Sequence, residues 1–196
     1  MLPKIIFRYS WIYDQIWRDI RKNRKDYPSI KKVLNYRLKA EKIWKKEGNK
    51  ILTEIEKITH LKWRAKIIIC YVVGNSRPFS DPLTIPFYKK TTRFLDTLTH
   101  ELIHNIFVQN FDRTEKCWNF FFSKYKKESR TTNIHVPLHA IHTRILLNLY
   151  GKNRLKEEIE WAGNFIKKYP DYKRSWEIVN KDGHQNIIKE FVKRIK

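Results

Sequence analysis

His100-Glu101-Leu102-Ile103-His104 sets two imidazoles four residues apart with a carboxylate between them. On an α-helix, positions i and i+4 project from one side about one turn apart, so the two rings can grip one metal ion. The intervening Glu101 then reaches a water molecule at that ion and acts as its general base. A motif of this kind arises by chance on the order of once in a hundred chains of this length. The chemistry it points to is metal-assisted hydrolysis.

A hydrolytic metal of this type takes three protein ligands and leaves one position open for water. The third ligand must come from elsewhere in the chain. The richest source is Asn133-Ile134-His135-Val136-Pro137-Leu138-His139-Ala140-Ile141-His142, which holds three of the seven histidines within eight residues. Pro137 suits the first turn of a helix, whose apolar stripe would be Leu138, Ile141, Ile145 and Leu149. His142 falls within that stripe, where a core histidine is the plainer reading. His139 lies at its edge, close to the helix start. His135 precedes the helix by one or two residues. His139 is therefore the favoured third ligand, with His135 next and His142 after it; His135 could instead stabilise the oxyanion of a tetrahedral intermediate. His60 and His184 stand alone in polar surroundings and carry no assigned role.

The elements that must position these groups can be read from periodicity. Residues 91–109 form a helix capped by Thr91 or Thr92. At about 100° per residue, Phe94, Leu95, Leu98, Leu102 and Ile106 make its core stripe. His100 and His104 fall roughly opposite, and Glu101 lies between. Residues 65–73 are an apolar strand, 74–78 a turn, and 81–87 a short extended segment held at a sheet edge by Pro82 and Pro86. Upstream, residues 4–9 read as a strand and 11–20 as a helix. Residues 29–46 form a second helix that Ser29 caps and Gly48 ends, and 49–59 a third. Downstream come helices at 112–127, 137–150 and 155–168, then two short ones at 172–180 and 184–195 divided by Gly183. The tryptophans mostly keep company with apolar residues at helical spacing, which is core packing. The expected fold is α+β and mostly helical, in one domain over 1–196. A basic helical region (1–60) leads into a core (65–150) with a small sheet, followed by C-terminal helices (151–196).

A strand, an edge segment and an HExxH helix in this order resemble the zincin metallopeptidases over about residues 65–150, at the compact, gluzincin-like end of that superfamily. The resemblance implies Zn2+ as cofactor, a peptide or protein as substrate, and an edge strand (here 81–87) that pairs with extended substrate by β-augmentation. The chain departs from the HExxHxxGxxH pattern of metzincins, with Phe107 at the Gly position and Asn110 at the third His. Gluzincins take a downstream Glu; Glu128, Glu157, Glu158 and Glu160 are candidates, but their Lys-rich surroundings read as solvated. A His ligand at the 135–142 segment departs from that pattern as well. Compact zincins also carry propeptide-like segments, so the region before residue 60 could cover the cleft, and its deletion would then raise activity.

Composition bounds the rest. The chain has 196 residues with a hydrophobic fraction of 41%, enough for a substantial core without disulfides. Cys70 and Cys117 form no metal-type pair and read as buried thiols, which suits a reducing, cytoplasmic setting. Charges at Lys4 and Arg8 interrupt the N-terminus before any apolar run develops, so no secretion signal is read there. The longest apolar run, residues 67–73, is too short to span a bilayer. The formal charge is +22. Its basic clusters, such as Arg21-Lys22-Asn23-Arg24-Lys25, Lys124-Tyr125-Lys126-Lys127 and Lys193-Arg194-Ile195-Lys196, are spread along the chain. That scatter favours solvated helix faces over one binding surface. Nucleic acid nevertheless enters as a candidate partner, and with it the alternative reading of a SprT-like protease on DNA-linked protein or a non-catalytic binding factor. Oligomeric state is not legible in the sequence.

Overall fold

The computed structural model describes residues 1–20, 26–166 and 169–195. The basic run at 21–25 lies outside the described residues, as does Lys196. In order, the elements are β1 (Lys4–Arg8), α1 (Trp11–Ile20), α2 (Ile30–Thr59), β2 (Ile67–Val73), β3 (Phe79–Ser80), β4 (Leu83–Pro86), α3 (Thr91–Gln109), α4 (Phe111–Lys124), α5 (Arg130–Tyr150), α6 (Lys152–Ile166), α7 (Pro170–Asp182) and α8 (His184–Val192). The fold is mostly helical α+β, as the periodicity predicts. No helix among the described residues is long and apolar enough to cross a membrane. The chain divides into two compact units, one of Met1–Asn49 with Trp63–Asn105, the other of Lys50–Lys62 with Ile106–Lys196.

The first unit is built on a four-stranded sheet of order β1-β2-β4-β3. β1 and β4 flank β2 in parallel, and β3 closes the row antiparallel to β4. The pleat sends alternate residues to opposite faces. Ile5 and Phe7 of β1 align with Ile68 and Cys70 of β2, and all four are buried. Phe7 meets Trp44 of α2 and Phe94 of α3, and Tyr36 of α2 meets Phe94 and Phe87. On the other face Tyr13 of α1 packs on Tyr71 and shares a 3.0 Å hydrogen bond with Thr84.

A buried carboxylate ties α1 to this frame. Asp14 is 1% exposed. It accepts from the Tyr27 hydroxyl at 2.5 Å, the Gly74 amide at 2.7 Å and the Tyr9 hydroxyl at 3.1 Å. Burial first, and Asp14 after it, push the Tyr9 phenol up to about 12 and the Tyr27 phenol further still. Gly74 has no alternative here, because a Cβ would collide with the Tyr27 ring.

Three expectations are corrected. Gly48 does not end a helix; α2 runs unbroken from Ile30 to Thr59. Gly48 belongs to the buried stripe itself, after Val33, Tyr36, Ala40 and Trp44 and before Ile51, Leu52 and Ile55. The Trp44 indole lies where its Cβ would be, so packing keeps a helix-weakening residue inside the helix. The stop comes at His60, whose φ of 55° is left-handed and whose amide bonds the Glu56 carbonyl at 2.9 Å. Second, residues 81–87 are not the sheet edge. β4 is bonded to β2 on one side and β3 on the other. Pro86 is tolerated because β3 ends before reaching it, pairing only with Leu83 and Thr84. Third, the segment before residue 60 is no removable cover: β1 and α2 supply Ile5, Phe7, Val33, Tyr36 and Trp44 to the core of the first unit.

The second unit is organised around α5, whose buried residues run from Thr132 to Leu146 and against which α6, α7 and α8 pack. Phe107, Trp118 and Phe191 form an aromatic cluster, and Arg194 sits 3.4 Å over the Phe120 ring. Exposed Lys–Glu pairs at helical spacing, Lys156–Glu160 and Lys173–Glu177, show part of the charge solvating helix faces, where each pair contributes little to stability.

Two consequences follow. Asp14→Ala leaves three donors without their acceptor and should lower stability by roughly 3 kcal/mol, read as a lower urea midpoint at unchanged slope; Asp14→Asn keeps one acceptor oxygen and should lose less. Deleting residues 1–60 should yield an unfolded chain by circular dichroism, not an activated one.

Candidate metal centre

α3 carries the HExxH pair. Its stripe of Phe94, Leu95, Leu98, Leu102 and Ile106 is buried as the wheel predicts, and Ile103, outside that stripe, is enclosed as well. His100 and His104 are half-buried on the remaining side, their ring centroids 5.1 Å apart. Side chains brace the helix: Thr99 Oγ1 donates to the Leu95 carbonyl at 2.7 Å, and Asn105 Nδ2 donates to the Ser80 carbonyl at 3.3 Å. Glu101 is 5% exposed, and burial pushes its carboxyl up to about 8. Cys70, fully buried, is raised by burial and, after it, by the charge of Glu101. A thiol held neutral in this way is neither nucleophile nor ligand.

The histidine-rich segment is arranged differently from the sequence expectation. α5 does not begin at Pro137. Ser129 caps it, accepting from the Thr132 amide at 3.0 Å, and Pro137 lies inside the helix. A proline there cannot donate to the residue 133 carbonyl, yet α5 continues through it from Arg130 to Tyr150. The Asn133 side chain adds a second clamp on the helix start by donating to the carbonyls of Tyr125, Glu128 and Ser129. His135 therefore sits on the helix, one turn before His139, and their ring centroids are 5.4 Å apart.

Both rings are fixed by hydrogen bonds at Nδ1. His135 Nδ1–H donates to the Thr131 carbonyl at 2.7 Å. A carbonyl only accepts, so the lone pair of this imidazole lies on Nε2. Burial pulls the His135 pKa down to about 4, against smaller opposing effects from the Thr131 bond and Asp171, so the ring is neutral at physiological pH. The hydroxyl of Ser175 spends its proton on the Tyr172 carbonyl at 2.8 Å, so His139 Nδ1–H is the donor in its 2.9 Å contact with Ser175 Oγ. α7 supports both rings: Tyr172 lies 4.3 Å from His135, and Trp176 stacks on His139 at 4.3 Å with a 14° interplanar angle. These α7 residues had no signal in the sequence beyond ordinary helical spacing.

One ligand atom from each of His100, His104 and His135 lies within 4.8 Å of the other two. Among the described residues it is the one group of three or more His, Cys, Asp or Glu placed to hold a metal ion. His139, favoured by the sequence, is not in it, and neither is His142, which is fully buried in the α5 core. Of the acidic candidates, Glu128 is paired with Arg174 at 2.7 Å, Glu157 with Arg154 at 3.8 Å and Glu160 with Lys156 at 3.8 Å. Glu158 is buried instead of solvated, and it too lies outside the group. At the metzincin positions, Asn110 donates to the carbonyls of Lys62 and Ile106 at 2.9 Å each, and Phe107 packs on Trp118 and Phe191.

The donor set fits a zinc ion. Three imidazoles are a borderline-soft set that suits Zn2+ and leaves a coordination position for water. The backbone carbonyl behind His135 is the kind of outer partner that orients a ligating imidazole. Comparison with known proteins finds no matching family model, no matching curated protein and no matching solved structure.

The support from α7 carries its own test. Trp176 is buried against His139, and Trp176→Ala should cost about 3–5 kcal/mol in thermal or urea unfolding. Conservative Trp176→Phe should recover much of that loss.

Proposed function

We propose that this chain is a zinc-dependent metallopeptidase, with His100, His104 and His135 as metal ligands and Glu101 as general base. The observation that carries the reading is the histidine triad: a His from a second helix completes the two-imidazole motif with the count and chemistry a hydrolytic zinc needs. Zinc held there would supply a Lewis acid for the scissile carbonyl and make water acidic enough to be activated near neutral pH.

The rest of the chemistry belongs to the chain's own side chains. Glu101 takes a proton from the attacking water and delivers it to the departing amine. Burial brings its pKa toward neutrality, which suits a group that must accept a proton as carboxylate and return it as the acid. The Thr131 carbonyl keeps His135 in one tautomer, and Tyr172 holds its ring in place. Substrate would be a peptide or protein. Since β4 is paired on both sides, it is not available as the strand that receives an extended substrate.

Elemental analysis of protein purified without chelator or affinity metal should find about one zinc per chain. That zinc should disappear in His100→Ala and His135→Ala and persist in His139→Ala. Zinc lost with His139 and kept without His135 would return the third ligand to His139; no uptake by wild type would remove the metallopeptidase reading. Glu101→Gln should keep the metal while peptide hydrolysis falls by about 10²–10⁴-fold, and full turnover in that variant would exclude Glu101 as base.

A further inference from the structure

We propose that the second unit holds a separate binding site for a small organic anion with an apolar body, such as an alkyl carboxylate. A cavity of about 500 Å³ opens between the end of α2, α5 and α8. It shares no residue with the histidine group. Its apolar wall is Ile58, Ile188 and Val192, and its cations are Lys57, Arg144 and Lys189. The volume is in the range of small-molecule sites, which combine apolar lining with a few placed polar groups.

The charges of this cavity do not balance within the protein. Among the described residues, none of Lys57, Arg144 and Lys189 makes an ion pair. Arg144 is the most telling, because the residue is half-buried. A partly desolvated guanidinium always carries its charge and offers donors in a fork that matches a carboxylate. Its field is felt at His184, whose pKa is lowered by burial first and by Arg144 second. The one carboxylate in the lining, Glu54, is buried and accepts from Asn148 Nδ2 at 2.5 Å. It repels an anion from its own wall and so directs the ligand head toward the cationic side.

Calorimetric titration of the full chain with sodium octanoate tests this, with octylamine and inorganic phosphate as controls. Expected is saturable octanoate binding that weakens at least about ten-fold in Arg144→Gln, weakens less in the surface variant Lys189→Gln, and tightens in Glu54→Gln. Octylamine should not bind. Circular dichroism checks that Arg144→Gln is folded; if it is not, Lys189→Gln and Glu54→Gln decide by their opposite signs. No heat with octanoate, equal binding of octylamine, or affinity indifferent to both Lys189→Gln and Glu54→Gln would overturn the site. Phosphate binding as tightly as octanoate would overturn the role of the apolar wall.

Discussion

Four residues of α-helix advance a little over one turn, and the arrangement of the metal centre depends on that spacing being held twice. In α3 it places His100 over His104, and in α5 it places His135 over His139. The spacing is useful only where the helix is continuous through it. In α3 continuity follows from a stripe of buried apolar residues and from the back-bonding of Thr99. In α5 it survives a proline because the cap at Ser129 and the clamp of Asn133 establish the helix two turns earlier.

Burial sets the electrostatics on both helices by the same physical route. Removing a group from water penalises its charged form. For Glu101 that raises the pKa, and for His135 it lowers it, leaving a carboxyl poised to carry a proton and an imidazole with a free lone pair. The same effect keeps Cys70 a thiol, inert despite its place among titratable groups. Where the protein keeps a buried carboxylate for structure, as at Asp14, it surrounds it with donors.

The errors of sequence reading share one cause. Gly48 and Pro137 are strong local punctuation, and each predicts a helix boundary. Each lies inside a helix, because packing of the Trp44 indole on Gly48 and a cap two turns upstream of Pro137 outweigh a local preference of a few kcal/mol at most. The same applies to Pro82 and Pro86, which signal an edge strand only until β3 pairs with the open side of β4. Glu158 read as solvated from its neighbours in sequence, yet its face of α6 is buried.

By itself the sequence determined what local pattern can encode: the helical register of the HExxH motif, the side of the helix on which the histidines stand, the apolar strand β2, and the α+β class. These depend on spacings of two to four residues, which the chain carries with it wherever it folds. The tertiary structure alone decided the third member of the histidine group. His135, His139 and His142 are chemically the same ligand, a few residues apart. What separates them is where α5 begins, which face it buries, and which ring has its Nδ1 proton bound to a backbone carbonyl. Those are properties of packing between elements far apart in the chain, and no short-range pattern records them.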